Sequence, residues 1–98
     1  MLFAVLFEDN ADRAEVRTRK MPEHLAFLER HAASIRAAGP LRNAADGSPA
    51  GGLWLVDAND ASSVAALYQE DPFWPTGLRR TVRVLEWHQV FRDGQRQA

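Results

Sequence analysis

At 98 residues the chain is long enough for one domain, and 46% hydrophobic with 26% charged residues is the composition of a globular protein. It contains no cysteine, which excludes disulfides, thiolate catalysis and zinc–thiolate sites. Its formal net charge of −1 provides no long-range attraction for a polyanion, so nucleic acid is not an expected partner.

The first predicted element is a strand from Leu2 to Phe7. Both of its faces are apolar, so it needs a packing partner on each side. We expect helices to cover one face and a second copy of the chain to cover the other, because a small domain gains core by association. The run is too short to span a bilayer and has no basic start like that of a signal peptide, which favours a cytoplasmic protein without membrane contact.

Residues 8–20 are polar, and we expect a loop there after the first strand ends. A helix is predicted from Met21-Pro22, since proline is tolerated at the first helical position, to about Ala38 before Gly39-Pro40. Helical periodicity places five apolar residues on one stripe of this helix. They are Leu25, Phe27, Leu28, Ala32 and Ile35, and His24 and His31 fall on the same side.

The second strand is predicted over Gly39 to Ala44 or from just before it, and Pro40 restricts it to a sheet edge or a strand end. A turn follows at Asp46–Pro49. Gly51-Gly52 then opens a third strand that continues through Leu53 to Val56 with two apolar faces.

Asn59-Asp60 is a good cap for a second helix, which contains Ala61, Val64, Ala65, Leu67 and Tyr68. Asp71 to Pro75 cannot continue that helix. A long last strand is predicted from about Arg80 to Phe91, followed by a frayed polar tail from Arg92 to Ala98. The order βαββαβ favours one sheet with two helices on one face.

Short motifs in a fixed order resemble the YCII-related family over almost the whole chain. They are Arg17, Pro22-Glu23-His24-Leu25, Ala38-Gly39-Pro40-Leu41, Gly51-Gly52-Leu53, Asp71-Pro72-Phe73, and Thr76-Gly77 before a last strand with Trp87. The resemblance implies a ferredoxin-like α+β domain with an antiparallel four-stranded sheet. It also implies that the sheets of two subunits pack into a dimeric α+β barrel.

The same resemblance implies an active site centred on His24 and Asp71. Arg17 and the turn at Pro40 would line it and bind substrate. The family usually has a serine at the position of Gly52, so a hydroxyl that could bind a ligand is missing from this substrate-binding position.

His24 is the strongest candidate for proton transfer, because imidazole exchanges a proton near neutral pH. In the first turn of the predicted helix, the positive helix end would disfavour imidazolium and favour a general base. The alternative is a histidine at the core edge that donates to a backbone carbonyl.

Asp71 could orient His24 and fix its tautomer, or it could belong to ordinary Asp-Pro turn chemistry. We expect both helices to start at one end of the sheet, which would place Asp71 far from His24. The two side chains could then meet only with the help of loop geometry or of the second subunit.

Two further histidines, His31 and His88, are predicted to be packing and interface residues. A metal site made of all three histidines lacks suitable spacing, and we expect neither metal nor cofactor. Arg17 could hold an anionic group with its bidentate fork, or it could be a solvated loop charge.

These residues favour a small cofactor-independent enzyme of lyase or isomerase type that abstracts a proton from a small acidic or phenolic substrate. The alternative is a non-catalytic dimeric protein that binds a small ligand or assists another enzyme. An enzyme predicts a pocket that exposes the His24 ring and contains Arg17. A binding module predicts an apolar pocket with His24 bonded to backbone.

Overall fold

Six main elements follow one another in the computed structural model, which describes residues 1–97. The strands and helices are β1 (Leu2–Asp9), α1 (Ala14–Arg30), β2 (Ile35–Arg42), β3 (Pro49–Asp57), α2 (Ala61–Gln69) and β4 (Arg79–Glu86). Single 3₁₀ turns lie at Ala11–Arg13 and Trp74–Thr76, and two short strands, β5 (Phe91–Arg92) and β6 (Gln95–Arg96), close the chain. No helix within residues 1–97 is long and apolar enough to cross a membrane.

The four long strands form one antiparallel sheet in the order β2-β3-β1-β4. Val5 lies at its centre, opposite Trp54 on one neighbouring strand and Val84 on the other. Pro40 lies on the edge strand β2, where its missing N–H costs no ladder hydrogen bond. The predicted ferredoxin-like fold is confirmed.

Both helices pack on the sheet face formed by alternate residues of β1. Phe3, Val5 and Phe7 are buried there with Phe27 of α1 and Val64 of α2. Each such side chain contributes about 1.5–3 kcal/mol on burial. This core fixes the distance of α1 from the sheet and therefore the position of every residue that α1 carries.

A second, smaller cluster joins the first turn of α1 to the connection between α2 and β4. Val16, Phe73 and Leu78 are buried in it, and Met21 packs against them. The Asp71-Pro72-Phe73 turn is thereby held against the side of α1.

The predicted bounds of α1 are wrong at both ends. The helix begins at Ala14, and Pro22 lies inside it, because the burial of Val16 stabilises a charged segment that has almost no other apolar residue. It ends at Arg30, because Ile35 pairs with Val56 of β3 and is buried as a strand residue.

The predicted last strand is too long. β4 ends at Glu86, opposite Phe3, because β1 begins one residue earlier and offers almost no further partner. Trp87 lies beyond β4, and the tail forms the β5–β6 hairpin around Asp93-Gly94 up to Gln97, where the described residues end. Aspartate-glycine is a hairpin-turn dipeptide that the sequence contained.

Gly51→Ala should destabilise the fold far more than Gly47→Ala. Both glycines have positive φ, +95° and +74°, which strains any other residue. A Cβ on Gly51 would also lie 1.9 Å from the carbonyl oxygen of Phe7, whereas one on Gly47 would meet nothing within 4 Å. We expect losses of roughly 3 kcal/mol or more for Gly51→Ala and about 1 kcal/mol for Gly47→Ala in urea unfolding. Equal losses would contradict the close approach of β3 to β1.

Candidate active site

The centre of the site is a buried hydrogen bond between His24 of α1 and Asp71 after α2. Nδ1 of His24 lies 2.8 Å from Oδ1 of Asp71, and both side chains are buried. The backbone N–H of Phe73 donates to the same oxygen at 3.1 Å. A carboxylate only accepts, so Nδ1 carries the proton and the Nε2 lone pair of a neutral His24 stays free.

The expectation that Asp71 lies far from His24 within one chain is wrong. Because β1 and β3 are antiparallel, the helices that follow them start at opposite ends of the sheet, and α2 ends beside the starting half of α1. The pair therefore forms without a second subunit.

The expected influence of the helix N-terminus on His24 is also wrong. His24 lies ten residues after Ala14, the first residue of α1, and helix-end fields act only within the first or last turn. The acidic side chain that contacts His24 is that of Asp71.

Aromatic rings hold the imidazole plane of His24. The Phe73 ring is stacked on it, with 4.1 Å between centroids and an interplanar angle of 17°. Trp54 lies on another side at 6.3 Å. With the Asp71 hydrogen bond, these contacts leave the ring little freedom to rotate.

The His24 ring lines a small pocket of about 90 Å³ between α1 and the sheet. Its other lining residues are Arg17, Met21, Leu25, Leu28, Ala38, Gly39, Pro40, Trp54 and Arg79. Among residues 1–97, no protein group forms a hydrogen bond with Nε2 of His24, so this nitrogen remains available to a ligand.

Two arginines of the pocket share one carboxylate behind it. Oδ2 of Asp9 lies 2.6 Å from Nη2 of Arg17, and Oδ1 lies 2.9 Å from Nη1 of Arg79. Burial lowers the pKa of Arg79, and the hydrogen bond and charge of Asp9 oppose that shift. Both arginines line the pocket, and an arginine side chain is positively charged at neutral pH.

Arg79 is the site residue that the sequence analysis missed. Val82 and Val84 pack against the core under the helices, and strand alternation from them would place Arg80 inward and Arg79 outward. A register shift between Glu8 and Asp9 reverses this order. Only 3% of the Arg79 side chain is exposed, against 59% for Arg80.

The predicted substrate-binding positions differ in how closely they approach the pocket. Arg17 and Pro40 line it directly. Gly52 is buried behind it, where a Cβ would lie 3.2 Å from Nη1 of Arg79 and 3.5 Å from the carbonyl oxygen of Gly39.

The other two histidines lie outside this pocket. His31 caps the end of α1, with its ring against Phe27 and Nε2 3.8 Å from Glu70. The side chain of His88 is 81% exposed and pairs with Glu86. No group of three or more potential metal ligands occurs within residues 1–97.

Comparisons with known proteins give a family and a similar solved structure. The family model described as "YCII-related domain" matches residues 1–88. Among solved structures, the chain is similar to 5-chloro-2-hydroxyhydroquinone dehydrochlorinase from Burkholderia phenoliruptrix AC1100, solved in complex with 2,5-dihydroxybenzoquinone. The two are 29% identical with a TM-score of 0.79, and the match covers 90% of this chain and 94% of that one. The curated proteins contain no match.

We expect ¹⁵N NMR to show neutral His24 with its proton on Nδ1, because that nitrogen donates to Asp71. The exposed His88, whose Nε2 lies 3.0 Å from Glu86, should carry its proton on Nε2 in the same spectrum and serves as the internal control with the opposite tautomer. Asp71→Asn should remove the fixed preference at His24, since an amide can offer a donor as well as an acceptor. A proton on Nε2 of His24 in the unmodified chain would contradict the proposed pairing.

Proposed function

The chain belongs to the YCII-related family, and we propose that it is a small-molecule enzyme of lyase or isomerase type in which His24 transfers a proton. The observation that carries this proposal is the orientation of one buried ring. Nδ1 of His24 is bonded to Asp71, and the ring lines a pocket that also contains Arg17.

In the proposed mechanism, Nε2 of neutral His24 accepts a proton from the substrate. The positive charge that then forms on the ring is stabilised by the carboxylate of Asp71, 2.8 Å from Nδ1. The imidazolium returns the proton to the product or to solvent. Arg17 holds an anionic group of the substrate, and its own position is fixed by Asp9.

A hydroxylated, planar ring is the proposed substrate. The pocket walls are apolar side chains, among them Leu25, Leu28 and Trp54, and the space is small. The similar dehydrochlorinase is named for a chlorinated hydroxyhydroquinone. In such a ring, His24 takes a proton from one hydroxyl group and returns it to the carbon that bears chlorine. Loss of a second hydroxyl proton to His24 then expels chloride, which leaves with the electron pair of the carbon–chlorine bond. The ring becomes a quinone without an external electron carrier, so the proposal requires no cofactor.

One structural feature favours an enzyme over a non-catalytic binding module. The partner of His24 is a side-chain carboxylate, which can stabilise a developing positive charge, rather than a backbone carbonyl. A binding module needs no such arrangement, and it would be revealed by ligand affinity without turnover.

His24→Asn should abolish most of the activity while leaving binding within a few-fold. Removing a general acid or base typically costs 10²- to 10⁴-fold, and we expect about 10³-fold in kcat. Activity would be measured as chloride release from 5-chloro-2-hydroxyhydroquinone, and binding by calorimetry with 2,5-dihydroxybenzoquinone. His31→Asn, at the end of the same helix, is the matched control and should retain full activity. A His24→Asn enzyme with normal kcat would refute the proposed role.

We further propose that the protein is a homodimer that pairs through the open face, defined as the sheet side turned away from the helices. Its apolar residues are Leu2, Ala4, Leu6, Leu53, Leu55 and Leu85. Leu85 is 39% and the adjacent Trp87 44% exposed. Contiguous exposed apolar surface of this kind is typical of an interface, and a self-complementary face gives a closed dimer.

Leu55→Glu should convert a dimer into a monomer in sedimentation experiments. The mass should fall from twice 11.0 kDa to 11.0 kDa, because a charge would be buried at the centre of the open face. Ala66→Glu adds the same charge on an exposed position of α2 and should leave the dimer intact. An unmodified chain that sediments as a monomer at micromolar concentration would contradict the dimer.

A further inference from the structure

The buried guanidinium of Arg79 has donors that the protein leaves unused. Of its five N–H groups, one on Nη1 donates to Asp9 at 2.9 Å, and this is its one hydrogen bond among residues 1–97. Nε is fully buried without a partner. Because Nε has almost no accessible surface, the unused donors that a ligand can meet are those on Nη1 and Nη2.

Aromatic rings prevent this guanidinium from turning out to solvent. Its central carbon lies 4.2 Å from the centroid of Phe7 and 5.3 Å from that of Phe73. These cation–π contacts and the Asp9 hydrogen bond fix the guanidinium at the pocket wall. The unused donors are therefore held in place before any ligand enters.

The charged groups around the pocket are arranged by sign. The ionisable residues that line it are Arg17, His24 and Arg79, all of them basic. The two carboxylates, Asp9 and Asp71, are outside the lining and contact the basic residues from behind. A ligand in the pocket therefore meets positive charge and apolar walls.

The absence of a side chain at Gly52 gives Arg79 its space. A Cβ there would lie 3.2 Å from Nη1, so any larger residue would force the guanidinium to shift. Such a residue would displace the guanidinium by a few tenths of an ångström from the place in which it donates to Asp9.

We propose that Arg79 is the specificity-determining residue of the pocket and binds an anionic oxygen on a planar carbon, a phenolate or a carboxylate. This inference rests on the proposed function only for the location of the pocket, since binding does not require turnover. The guanidinium fork makes two directed hydrogen bonds to such an oxygen or oxygen pair, and these are stronger than bonds to a neutral group.

The test is calorimetric binding of two anions and one neutral ligand. The deprotonated 2,5-dihydroxybenzoquinone represents the phenolate class, benzoate represents the carboxylate class, and benzamide is the neutral counterpart of benzoate. We expect Arg79→Met to weaken binding of at least one anion by tenfold or more and to change benzamide binding less than twofold. Which anion is affected identifies the source of the charge.

Arg80→Met is the matched control, because it removes the same charge from the next residue, which is exposed and paired with Glu8. It should leave all three affinities unchanged. Gly52→Ser in the unmodified background should weaken anion binding by crowding Arg79. The same change should have no such effect once Arg79 is methionine, so the two positions should be coupled in a double-mutant cycle.

Three results would overturn the proposal. The first is that the unmodified chain binds neither anion, and the second is that Arg79→Met binds the anions as tightly as the unmodified chain does. The third is that Arg79→Met weakens the binding of the anions and of benzamide equally. If Arg79→Met fails to fold by circular dichroism, Arg79→Lys keeps the charge next to Asp9 but lacks the fork. It should then bind the anion at least fivefold more weakly, and unchanged affinity would overturn the proposal.

The failure of this inference can be told apart from the failure of the proposed function. His24→Asn should keep anion affinity within a few-fold while losing chloride release. If anion binding depends on Arg79 but the protein shows no turnover, this inference holds and the proposed enzymatic function fails. If the protein shows turnover but Arg79→Met leaves the anion affinities unchanged, the proposed function holds and this inference fails.

Discussion

The whole site depends on one carboxylate, that of Asp71, being held inside the protein without losing its hydrogen bonds. Burial of an ionised carboxylate is strongly unfavourable unless donors replace water. Here the donors are Nδ1 of His24 and the backbone N–H of Phe73, both on the same oxygen. The turn that supplies the second donor also supplies the Phe73 ring stacked on His24. The turn Asp71-Pro72-Phe73 therefore sets the tautomer of His24, the plane of its ring and the nearest charge beside it.

A second carboxylate, that of Asp9, likewise holds basic residues of the pocket in place through hydrogen bonds. It lies at the last position of β1 and accepts from both Arg17 and Arg79. The irregular pairing next to it turns Arg79 toward the helices, which regular alternation would not do. The pocket is thus lined by basic groups, and the two carboxylates that contact them lie outside the lining. The two acids hold the basic groups in position.

How far the sequence determined these features varies from element to element. The strand β1 and the Asp60 cap of α2 follow from local rules and were predicted. The start of α1 was not, because it depends on one residue, Val16, whose partners Phe73 and Leu78 are remote in sequence. His24 and Asp71 were paired only through a family resemblance, since 47 residues separate them. Arg79 gave no local signal, because its burial depends on a register shift in a neighbouring strand.

The proposed role of Arg79 bears on what His24 has to do. A guanidinium beside the pocket would favour an oxygen that is already ionised. If one oxygen of a hydroxylated ring enters as the anion, the ring is electron-rich before His24 acts on it. The carbon that bears the leaving group would then take a proton, from solvent or from the protonated ring of His24. His24 would next remove the proton of a second hydroxyl group as the leaving group departs with its bonding electrons. In the proposed mechanism, the arginine would thus select the reactive ionisation state and the His24–Asp71 pair would carry the protons.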